Sequence, residues 1–154
     1  MSEIANIVDE AKKAYAGNAW HGPALLEILS DVSAAQAAAK PLPAAHSIWE
    51  IVLHIAGWQG VASHRAKGEP LAEPLMGDWP PVTDQSPEAW EKALANLGSA
   101  QQELIKQISS LPEPALKQTA PGTDYSVYFM LHGVIQHTLY HAGQIALLKR
   151  AWSS

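Results

Sequence analysis

The chain of 154 residues has no cysteine. Disulfide staples, thiolate nucleophiles and thiolate metal ligands from its own side chains are therefore excluded, and any metal it holds must be bound through nitrogen and oxygen. It also has no block of lysine or arginine. Ten basic against 15 acidic residues leave a formal charge of −5 with histidine neutral, so neither a nucleic-acid partner nor a polybasic membrane patch is expected. No apolar run approaches the ~20 residues of a membrane span. The opening MSEIANIVDEAKKAYAG mixes acids with lysines and lacks the apolar core of a signal peptide, which makes the cytoplasm the expected location. No repeat or low-complexity linker divides the chain, and its length suits one domain, residues 1–154.

What is present is helical patterning. Apolar residues make up 47% of the chain, much of it alanine and leucine. Ile4, Ile7, Val8, Ala11 and Tyr15 form an amphipathic run that Gly17 and Asn18 interrupt. With Pro23 as a first helical residue, 2–32 reads as one rod in two pieces, followed by a short turn over 34–39 that Pro41 and Pro43 stop. Ser47-Ile48-Trp49-Glu50 is a capping box, in which serine takes an orphan amide and glutamate reaches back. It predicts a helix to about Lys67 with Ile48, Ile51, Val52, Ile55, Trp58 and Ala62 buried. Ser86-Pro87-Glu88 starts a third helix, running to Ser109, with Trp90, Leu94, Leu97, Gln101, Leu104 and Ile108 in register. Asp124 or Ser126 caps the last, which extends to about Arg150. The expectation is an all-α protein, a four-helix bundle with long connecting loops. The proline-rich loop 68–85, carrying Met76, Asp78 and Trp79, reads either as a packed surface crossover or as a lid over a pocket.

The last helix organises the chemistry. Met130, Val134, His137, His141, Gln144 and Leu148 follow alternating steps of four and three, the stripe that faces a bundle core. A step of four turns a helix by about 400°, so His137 and His141 point the same way. Two imidazoles in an apolar stripe are costly unless something binds them, and i,i+4 is a chelating spacing. Thr138, Leu139 and Tyr140 stand between them, so the glutamate base of an HExxH protease is absent. His54, on the border of the second helix's stripe, is the candidate third ligand. The bland alternative for each is a core histidine hydrogen-bonded to its neighbours. His132 is turned about 140° from His137 and should face another helix or a subunit. His64 points away from His54, while His21 and His46 sit in turns where a surface or capping role suffices. Glu50 is either a partner of His54 or, better, the capping acid. Gln144 could face the site or pack, Trp58 could wall a pocket beside His54, and Gly133 and Gly143 would let helices approach.

With AWHGPALLEIL, HSIWEIVLHIAGW and MLHGVIQHTLYHAGQIALLKR in view, the chain resembles the DinB/YfiT-like family of four-helix-bundle proteins, over nearly its whole length. The resemblance implies a metal-binding triad, which falls on His54, His137 and His141. It also implies a homodimer and a divalent metal ion, zinc or nickel. Relatives include metal-dependent hydrolases and S-transferases that use a low-molecular-weight thiol. The expected function is accordingly a metal-dependent enzyme with an open position for water or thiol and a small-molecule electrophile as partner. The alternative is a non-catalytic dimeric stress-response or ligand-binding bundle with a structural or vestigial metal. No catalytic residue beyond the ligands is identified.

Overall fold

The computed structural model describes residues 1–153. Four long helices, α1 (Glu3–Ala16), α4 (Ile48–Ala66), α5 (Pro87–Ser109) and α6 (Val127–Ser153), form the expected bundle. Two five-residue helices, α2 (Leu25–Leu29) and α3 (Ala34–Ala38), lie between α1 and α4, and a 3-10 turn (Glu113–Lys117) precedes α6. Each long helix starts behind a serine whose Oγ accepts an amide of the first turn. Ser2 takes that of Ala5, Ser47 that of Glu50, Ser86 that of Ala89 and Ser126 that of Phe129. Ser126, rather than Asp124, is thus the cap of α6. Glu50 Oε2 completes the box by accepting from Ser47 N at 2.8 Å.

The first rod differs from expectation. Gly17 and Asn18, both at positive φ (152° and 62°), end α1 outright. The chain then turns, and α2 begins at Leu25 rather than Pro23, with Glu27 Oε1 accepting the Ala24 amide. As a result α2 is a separate element lying against α1 and α6, not the second half of a rod.

Around the bundle the order is α1, α5, α4, α6, each packed on its neighbours. Its core is in two parts. One gathers Leu25, Leu29, Ile48, Val52, Ile55, Trp90, Leu97, Ile145 and Leu148; the other gathers Ile4, Ile7, Ala62, Leu104, Ile108, Leu131, Val134 and Ile135. Burying a leucine or isoleucine of this kind stabilises by roughly 1.5–3 kcal/mol. The order of these residues along each helix shows direction: α4 and α5 both run from the first part to the second, and α6 runs back. Between the two parts lies a polar waist, with Gln59 on α4, Gln101 on α5, and His137, Thr138 and His141 on α6.

Because α4 and α5 are parallel neighbours, residues 67–86 must return along the length of α4, ~28 Å for 19 residues. They do so in contact with it. Arg65 Nε and Nη2 donate to Leu71 O and Ala72 O. Further along, Pro74 lies so near Gly57 that a Cβ there would come within 2.9 Å of the proline ring. Gly77, at φ 89°, then turns the chain inward at a position that strains any L side chain. The segment is a crossover and a cover at once, since it ends on the histidines.

Candidate metal centre

His54, His137 and His141 come together between α4 and α6, as the face of each helix predicts. His54 and His141 are buried and His137 half-buried. His137 Nε2 lies 2.9 Å from His54 Nε2 and 3.1 Å from His141 Nε2. Three nitrogens bound at ~2.0–2.1 Å in tetrahedral directions would stand ~3.3 Å apart. The two separations from His137 are within tenths of an ångström of that, and all three nitrogens lie within 4.8 Å of one another.

The outer nitrogens set the tautomers. His54 Nδ1 donates to the main-chain oxygen of Asp78 at 2.8 Å, with Asp78 Oδ1 at 3.2 Å. His141 Nδ1 donates to Gln144 Oε1 at 2.7 Å. With Nδ1 protonated on both, each Nε2 presents a lone pair to the centre. His137 Nε2 faces both lone pairs and has one hydrogen at most to offer, while its own Nδ1 is buried without a partner. Three imidazoles therefore offer more acceptors than donors at one point, an arrangement that a cation satisfies and a hydrogen-bond network does not. The residues fit a divalent ion.

Electrostatics agree. Burial, reinforced by His141 and His54, pushes the His137 imidazole down to about 4, against a smaller opposing effect from Asp78. Burial also lowers His141, and Gln144 partly offsets it. Both rings are accordingly neutral near pH 7, the form that binds metals.

The crossover supplies the surround. Asp78 Oδ1 also accepts from Trp58 Nε1 at 2.7 Å, tying the half-buried Trp58 beside the histidines. The Trp79 ring is stacked between His54 (centroids 3.8 Å apart) and His46 (3.5 Å), parallel to within 4° in each case. His46 is more than a turn residue, for it bridges Trp79 to Glu50 Oε2 at 3.3 Å. Glu50 itself serves the cap, His46 and Lys40 rather than His54. Of the other histidines, His132 lies against α1 between Glu3 and Glu10. His64 pairs with Glu69, and His21 meets Pro23 O. None joins the centre.

A sequence model of the DinB superfamily matches residues 19–145, all three histidines included. The chain belongs to the DinB superfamily. No curated protein and no solved structure matched it. As a DinB protein it pairs an all-α fold with a buried three-histidine cluster able to hold a metal ion. Among the described residues no helix is long and apolar enough to cross a membrane.

Proposed function

We propose that this DinB protein is a metal-dependent enzyme whose His54, His137 and His141 bind one divalent ion, zinc or nickel, through Nε2. The carrying observation is the convergence of three Nε2 atoms whose partner nitrogens are engaged outward on two rings and orphaned on the third. No carboxylate among the described residues joins the three as a fourth ligand, and His137 also lines a cavity of about 220 Å³. An open position beside a cavity is what a catalytic rather than a structural site keeps. When bound, the ion supplies Lewis acidity that brings water or a low-molecular-weight thiol to its anionic form near neutral pH. The chain's own part is orientation and exclusion. Asp78 O and Gln144 Oε1 fix the rings of His54 and His141, while Trp58 and Trp79 keep bulk water from them.

The nucleophile comes from outside, since the chain has no cysteine, and the reaction class is hydrolysis or S-transfer to a small electrophile. Homodimerisation belongs to the same proposal. An exposed row on α6, Phe129, Tyr140 and Leu147, offers it a surface. The same row favours the second reading, a dimeric binding bundle whose metal does no chemistry.

Elemental analysis of the purified chain beside His54→Ala is the test. About one divalent ion per chain, lost in the variant, supports the site, and turnover with a thiol or water nucleophile then separates enzyme from binding module. No ion in either protein after zinc or nickel is added overturns the proposal.

A further inference from the structure

The cavity that His137 lines has a second polar end. Its walls are apolar, with Trp58, Val61, Met130 and Val134 among them, but Arg65 and Tyr125 also line it. Arg65 is 8% exposed. Its guanidinium meets only neutral acceptors: the carbonyls of Leu71 and Ala72, and Tyr125 Oη at 2.6 Å. Among the described residues no carboxylate pairs with it. A buried cation compensated only by dipoles is expensive, and a guanidinium carries five N–H donors, of which three are used. Tyr125 Oη, having accepted from Arg65, keeps its own hydrogen to give. The two groups thus leave unmatched donors and an unmatched positive charge at one end of an apolar cavity whose other end is His137.

A second observation concerns room. Gly133, in the interior of α6, lines the same cavity, and a Cβ built there meets nothing within 4 Å. Glycine is the poorest helix former after proline, and no packing contact requires it here. What its missing side chain leaves open is the cavity.

We infer that this cavity is the substrate pocket of the site and binds a small apolar molecule carrying a carboxylate, held by Arg65 and Tyr125, with its apolar body directed towards His137. At about 220 Å³ the cavity is larger than the ~150 Å³ that admits benzene. It suits one ring or a short alkyl chain with its acid group. A carboxylate matches the planar fork of arginine two bonds at a time, which sets the orientation as well as the affinity. Assigning the pocket to a substrate rests on the proposed metal-dependent reading, whereas the anion seat is testable without it.

The probes are phenylacetate and its uncharged isostere phenylacetamide, titrated calorimetrically into the full chain, both zinc-loaded and stripped by chelation, with zinc content measured separately. Phenylacetate is expected to bind about tenfold or more tighter than the amide in both states. Arg65→Gln should abolish that preference and leave zinc content unchanged. Because Arg65 also holds Leu71 and Ala72, Gly133→Leu is the second variant. It fills the cavity from a good helix former and should abolish binding of both probes with native helicity and thermal stability retained.

Equal binding of the two probes in both states overturns the inference, as does a carboxylate preference that survives Arg65→Gln. A preference seen only in the zinc-loaded chain and surviving Arg65→Gln places the acid on the metal, which sinks this inference and leaves the metal centre standing. Arg65-dependent binding in a chain that takes up no zinc supports the anion seat and sinks the metal reading instead.

Discussion

Two polar clusters interrupt the apolar core at the waist of the bundle, one of glutamines and one of histidines, and they meet burial differently. Gln59 Nε2 donates to Gln101 Oε1 at 2.7 Å, and Gln101 Nε2 donates to Ala11 O at 3.2 Å. Each amide nitrogen finds an acceptor along a line joining α4, α5 and α1, leaving over Gln59 Oε1. The histidine cluster instead aims its unprotonated nitrogens at one another and spends its donors on Asp78 and Gln144 outside. Directed donors joined to acceptors make a structural tie between helices. Acceptors facing acceptors suit a cation.

The sharpest way to break this comparison is to remove ligands. His137→Ala with His141→Ala should take metal content from about one ion per chain to none, and with it the rise in melting temperature on adding zinc or nickel. Stoichiometric binding after the double replacement would end the assignment. Protons should discriminate next. The folded His137 titrates at about 4, below its ordinary 6.5, so between those values the unfolded chain binds more protons than the folded one. Stability of the metal-free protein should therefore fall as pH drops from 6.5 towards 4 and level off below. Urea titrations at pH 7 and 4.5 measure it, and His137→Leu should flatten the slope.

The glutamine side predicts a smaller, metal-blind effect. Gln101→Leu strands Gln59 Nε2 and should cost about 1–3 kcal/mol of stability without altering metal content. Replacing both glutamines by leucine should cost less than the sum of the singles. A metal content that fell with Gln101→Leu would mean that the clusters are one network. The smallest change is expected from Asp78→Ala. It removes the carboxylate shared by His54 and Trp58 but leaves the main-chain oxygen on His54 Nδ1, so metal affinity should weaken by about tenfold.

Legibility followed periodicity. His137 and His141 are one helical turn apart on a clear stripe, and His54 sits on a helix whose start the Ser47–Glu50 box marks, so their convergence could be read from helical faces. The residues that finish the site could not. Asp78 and Trp79 lie in a segment with no period, and they reach His54 only because α4 and α5 are parallel, which obliges the crossover to run back along α4. That parallel relation is tertiary and leaves no local mark, and the proline-rich loop alone reads as a surface crossover as readily as a lid. His46 reads as a turn residue in the sequence because its partner, Trp79, is 33 positions away. Arg65, in the last turn of α4, carries no local mark of its own; its tyrosine lies 60 residues on. Gly17 and Asn18 mark the end of α1 in the sequence, but Pro23, a residue suited to a first helical position, lies outside α2, which starts at Leu25.

The separation of His54 from His137, 83 residues, gives the centre a mechanical meaning. An ion shared by the two would tie distant parts of the chain into a closed loop. Any unfolding that kept it bound would start from an ensemble shrunk as by a disulfide of that span, by about 4–5 kcal/mol in the chain-entropy account. In a chain with no cysteine it would be a cross-link indifferent to redox conditions, opened by a chelator or by acid.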